Sequence, residues 1–145
     1  MKNNSSSESA APRQFIFLFR GEDWDEGVPP EKLQELMDRF IDWAQGLIDS
    51  GRVRGGQALG RTGAIVNRRG ISDGPFAESK EAIGGYSILA VDTLQEAIEI
   101  ARTAPFLDFE GSIEIRPILD ECPVFNRIRE RYGLVPKPLS FARAT

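Results

Sequence analysis

Gln14-Phe15-Ile16-Phe17-Leu18-Phe19-Arg20 is apolar at every position between its polar ends, and four of its five apolar residues are aromatic or β-branched. Such a run is expected as a strand. A strand with one wet face alternates apolar and polar residues. Here both alternating sets, Phe15/Phe17/Phe19 and Ile16/Leu18, are apolar, the pattern of a strand covered on two sides. A single layer of helices covers one face only. The second cover must come from another layer, and for a chain of 145 residues the simplest source is a second copy of itself.

Downstream of this strand, the acidic, turn-prone stretch GEDWDEGVPP leads to Pro30, a residue suited to the first turn of a helix. Leu33, Leu36, Met37, Phe40, Trp43, Ala44, Leu47 and Ile48 then recur at helical spacing, and Gly51 provides a left-handed stop. A helix over residues 30–50 follows. Residues 54–59 and 63–68 are glycine-interrupted and are expected as short strands, or a hairpin, around the turn Gly60-Arg61-Thr62-Gly63. Residues 82–91 form a stronger strand. Thr93 with Glu96 makes a capping box for a second helix with Leu94, Ala97, Ile98 and Ala101 on its apolar face, and Pro105 marks its end. Ser112 to Ile118 alternates Ile113 and Ile115 inward with Glu114 and Arg116 outward. After Asp120, PVFNRIRERYG is expected as a short amphipathic helix bearing Arg127, Arg129 and Arg131.

The order strand, helix, one or two short strands, strand, helix, strand is that of a ferredoxin-like α+β domain, an antiparallel sheet with two helices on one face. Its length suits one domain. The expected organisation is a disordered tail over residues 1–13, the folded domain over 14–119, and an extension over 120–145.

Composition narrows the chemistry. The 22 acidic and 18 basic side chains leave a net charge of −4, the wrong sign for clamping phosphate backbones, so no nucleic acid is expected as a partner. Cys122 alone can form neither an intramolecular disulfide nor a zinc site, and before Pro123 it has no activator, so it is read as an inert thiol in a cytoplasmic protein. No apolar stretch approaches the ~20 residues of a membrane span, and no membrane or cofactor is expected. The sequence contains no histidine, which removes the commonest base near neutral pH and every Ser-His or Cys-His arrangement.

Asp73-Gly74-Pro75-Phe76-Ala77-Glu78-Ser79-Lys80-Glu81, followed by Ile83-Gly84-Gly85-Tyr86, resembles the signature of the YCII-related family in its DGPF-domain branch. The resemblance runs from Phe15 to Ile118 and omits both tails. It implies a ferredoxin-like fold that dimerises through its sheets into a dimeric α/β-barrel-type assembly, in agreement with the two-faced first strand. Some members of the family pair a first-helix histidine with an aspartate, and one type removes chloride from an aromatic ring. This chain, lacking histidine, departs from that pattern. DGPF proteins are also often encoded beside extracytoplasmic-function sigma factors, which implies a regulatory or small-molecule role.

Each candidate residue has an ordinary role beside a functional one. Asp73 before Gly-Pro shapes a bend by bonding its own backbone; placed in an apolar cleft, the same carboxylate becomes an acid or base. Phe76 anchors the loop. Lys80 is a solvated charge first and an anion anchor second. Gly84 and Gly85 fit a β-bulge or a ligand lying against the strand, and Tyr86 fits a core edge or a pocket donor. Arg116 and Arg39 fit salt bridges or joint capture of a carboxylate. Trp24, in the acidic loop, reads as a lid or interface residue, and Trp43 as core. The leading expectation is a homodimer that binds a small anionic or aromatic molecule in a cleft formed around Asp73, Gly74, Pro75, Phe76, Lys80, Gly84, Gly85, Tyr86, Arg39 and Arg116. The alternatives are a histidine-free lyase or isomerase with Asp73 as acid and base, and a regulatory module using residues 123–132.

Overall fold

The computed structural model describes residues 13–21, 25–74, 82–109 and 111–133. The aromatic run forms the central strand β1 (Gln14–Arg20), which pairs antiparallel with β5 (Ile83–Ala90) on one side and β6 (Ser112–Ile118) on the other. A fourth strand, β2 (Val53–Ala58), pairs antiparallel with the outer edge of β5, giving the order β2-β5-β1-β6. The first and last strands of this sheet are therefore neighbours, with the third beside the first, which is the ferredoxin-like arrangement.

Strand alternation divides β1 as the sequence required. Phe15, Phe17 and Phe19 are 2%, 0% and 8% exposed and face the helices, whereas Ile16 and Leu18 on the other face are half-buried. Two helices supply the cover. α1 (Pro30–Asp49) brings Leu47 into the core with Trp43 beside it, and α2 (Leu94–Arg102) brings Ala97, Ile100 and Ala101. Phe17 and Leu89 are the largest fully buried side chains, each stabilising the fold by about 1.5–3 kcal/mol through apolar burial.

The helix ends behave as their sequences dictate. Pro30 occupies the first turn of α1, where its missing N–H is no loss. At the other end Gly51 sits at φ +72° while the N–H groups of Ser50, Gly51 and Arg52 donate to the carbonyls of Gly46, Ile48 and Leu47. α2 starts at Thr93, whose Oγ1 accepts from the Glu96 N–H at 3.1 Å. The Glu96 carboxylate reaches back to the Asp92 N–H at 3.2 Å, one residue outside the usual box. The helix stops at Arg102, and Pro105 opens a short 3-10 turn, Pro105–Phe109, ahead of β6.

One pairing differs from the expected hairpin. Residues 63–67 do not pair with β2. They form β3 (Gly63–Asn67), which pairs with β4 (Gly70–Gly74) in a separate two-stranded ribbon. The cause is local: Asn67 opposes Gly70 across the two-residue loop Arg68-Arg69, Gly70 adopts φ +143°, and the Arg69 N–H donates to Asn67 Oδ1 at 2.8 Å. β2 is left to seek the main sheet. The amphipathic segment near the C-terminus forms α3 (Pro123–Tyr132), with Val124, Phe125 and Tyr132 more than half exposed. Among the described residues, no helix is long and apolar enough to cross a membrane.

Candidate functional site

A recess lies between α1 and the β2/β5 side of the sheet, where strands rich in glycine cannot fill the space beneath the helix. Its cavity volume is about 640 Å³. The α1 wall is Leu36, Met37, Phe40 and Ile48; Phe19 and Phe106 close the inner end; and Gly55, Gly56, Gly84 and Gly85 provide a floor of main chain. The rings form a connected set. Phe19 stands edge-to-face with Phe106 at 5.4 Å between centroids and with Phe40 at 6.3 Å, and Phe40 continues to Trp43 at 5.6 Å. No charged side chain lines the cleft among the described residues.

Two irregularities create this floor. Phe19 pairs with Gly85 but Arg20 pairs with Ile83, which makes Gly84 the extra residue of a β-bulge, as the glycine pair led one to expect. A second shift falls between Val53 and Gly55 in β2. Close approach also demands glycine at position 56, where a Cβ would fall 2.6 Å from the Tyr86 carbonyl oxygen and 2.9 Å from Ser87 Oγ. Ser87 opposes Phe17 in β1 and Gly56 in β2, so alternation places its hydroxyl on the helix side of the sheet, within the cleft.

The residues expected to share one site are distributed over three places. Gly84, Gly85 and Tyr86 do border the cleft. Tyr86, however, opposes Leu18 and Gln57, so alternation assigns its phenol to the far face of the sheet and leaves its main chain at the cleft. Arg116 opposes Ile16 on that same far face, while Arg39 on α1 forms an exposed ion pair with Asp108 at 2.8 Å. The two arginines stand on opposite sides of the sheet and do not jointly receive a carboxylate. Asp73 and Gly74 end strand β4 and are not part of a free turn; the Asp73 side chain is exposed beside its partner Ala64. Pro75, Phe76 and Lys80 lie outside the described residues, as does Trp24. Trp43 is packed against the core, and its Nε1 donates to Thr103 Oγ1 at 2.8 Å.

Sequence reading passed over Ser87, Met37 and Phe106. The available signal was a serine inside an otherwise apolar strand, but which face of that strand the helices cover is set by tertiary packing.

The far face carries its own pattern. Ile16, Leu18, Tyr86 and Ile88 form a half-buried apolar patch on it. Charge lies at its β6 border, where Arg20 Nη2 and Nε donate to Glu114 Oε2 at 2.7 and 3.2 Å. The hydrogen bond from Arg20 holds the Glu114 carboxyl below its ordinary range against an opposing desolvation effect, and the charges of Arg20 and Arg116 add to the lowering. Among the described residues, no three or more cysteine, aspartate or glutamate side chains converge as a metal site would need.

Comparison with known proteins agrees with this fold. No curated protein matches the sequence. The family model of the YCII-related domain matches residues 15–121, which spans all four strands of the main sheet and both helices that cover it. The chain belongs to the YCII-related family.

Proposed function

We propose that this protein is a DGPF-type member of its family that acts as a homodimer and holds a small aromatic molecule in the cleft under α1. The observation that carries the reading is the composition of that cleft: three phenylalanine rings, aliphatic side chains and bare main chain, with no charged side chain among the described lining residues, in about 640 Å³. Pockets for small ligands are of this size and largely apolar. An anionic ligand is disfavoured because the arginines that would receive it, Arg39 and Arg116, lie elsewhere.

Thermal denaturation against a panel of aromatic compounds tests the reading. Bound compounds raise Tm by mass action. Met37→Lys, which places a charge on the exposed rim of the α1 wall, is expected to abolish the rise while leaving the ligand-free Tm nearly unchanged. A panel without any shift, or a shift that survives Met37→Lys, refutes it.

Dimerisation is supported separately by the far face, where Ile16, Leu18, Tyr86 and Ile88 provide an apolar patch suited to a second sheet. Light scattering at micromolar concentration is expected to give the mass of two chains, and Leu18→Lys the mass of one. A wild-type monomer would remove the dimer from the proposal.

A further inference from the structure

Among the described residues, the cleft contains one side-chain hydroxyl on its helix side, that of Ser87. Ser87 is half-buried, and its hydroxyl has no hydrogen-bond partner among the described residues. Nor is it among the sealed unpartnered atoms, so it opens into the cleft. Its position is fixed on both sides: Phe17 opposes it in β1 and is fully buried, and Gly56 opposes it in β2 with no Cβ, which is what leaves the hydroxyl its room. A polar group so placed among rings and aliphatic chains is ordinarily satisfied by water or by a ligand.

We infer that Ser87 is the polar anchor of the cleft, and that the ligand is a flat aromatic ring system bearing a neutral hydroxyl or carbonyl oxygen. This rests on the cleft being the binding site proposed above. The chemistry selects the class. A serine hydroxyl both donates and accepts, so it pairs with a phenol or an aryl carbonyl alike. A carboxylate or phosphate is disfavoured, because entry would strip its hydration and no cation among the described lining residues offsets the loss. The rings of Phe19, Phe40 and Phe106 supply faces and edges for the aromatic body.

Three probes of one shape separate the terms: naphthalene, 1-naphthol and 1-naphthoate, titrated against the full chain by calorimetry or by competition with a fluorescent naphthol analogue. The wild type is expected to bind 1-naphthol about 5-fold more tightly than naphthalene, the gain of one net hydrogen bond, and 1-naphthoate most weakly. Ser87→Ala is expected to bind both uncharged rings with the naphthalene affinity of the wild type, which also shows that the variant folds. Equal wild-type binding of naphthalene and 1-naphthol, a preference that persists in Ser87→Ala, or tight binding of 1-naphthoate overturns the assignment of Ser87 while leaving an aromatic cleft in place. Failure of all three probes to bind overturns the cleft itself, and this inference with it.

Discussion

Gly55 and Gly56 are neighbours in β2, yet alanine at the two positions is expected to act with opposite sign. At Gly56 the new Cβ would sit 2.6 Å from the Tyr86 carbonyl oxygen, 2.9 Å from Ser87 Oγ and 3.0 Å from Ser87 Cα. Two of those three atoms are main chain of a paired strand and cannot rotate away. β2 is an edge strand, so it can yield by several tenths of an ångström, which places the cost in the lower part of the range for overpacking, about 1–2 kcal/mol. At Gly55 a Cβ meets nothing within 4 Å and φ lies outside the left-handed region. Gly55→Ala therefore acts mainly by restricting the unfolded chain and is expected to stabilise by about 0.4–1 kcal/mol. Urea unfolding followed by far-ultraviolet circular dichroism, at one fixed protein concentration, measures both. With m of about 2 kcal/mol/M, the midpoints of the two variants should differ by roughly 1 M. Variants that unfold together at unchanged m would refute the close approach of β2 to β5 from which the cleft floor is derived.

Further expectations concern the cap, the core and the far face. Thr93→Ala removes the acceptor of the Glu96 N–H and is expected to cost about 1 kcal/mol, read from the same urea midpoints; no change would show that Glu96 alone holds the start of α2. Phe17→Ala, at a fully buried position, is expected to cost about 3–5 kcal/mol, and a cost below that of Thr93→Ala would contradict the placement of β1 at the centre of the core. Because Glu114 is held below its ordinary range when folded, its contribution to stability is present above the unfolded carboxyl range and fades as pH falls through the lower, folded value. Glu114→Gln should thus differ most from wild type near neutral pH and converge with it in acid; partial exposure of both partners keeps the difference small. A gap that widens on acidification would reverse the sign of that argument.

The parts of the site that were legible in advance are those governed by local chemistry. Gly84-Gly85 announces a bulge because two successive glycines in an apolar strand weaken regular pairing, and the bulge is there. Arg39 and Arg116 look alike in sequence, both outward-facing cations, but one rides on the helical layer and the other on the opposite face of the sheet. No spacing rule carries that information, since it depends on which side of β1 the helices choose. The exchange of partners by residues 63–67 has a similar origin. Glycine-rich strands pair with little preference, and the deciding signal, Asn67 facing Gly70 around Arg68-Arg69, resides in two flanking residues rather than in a familiar turn dipeptide.

The sequence by itself determined the central strand, both covering helices with their caps and stops, the order of elements and the family, because each follows from period, capping chemistry or a motif at fixed spacing. Tertiary structure alone decided that β2 would seat itself on β5 through a glycine, that three distant phenylalanines would meet above that seat, and that the Ser87 hydroxyl would share their side of the sheet. Those features require residues far apart in the chain to share one space, and only packing, with its exclusion of overlapping atoms, fixes which of them do.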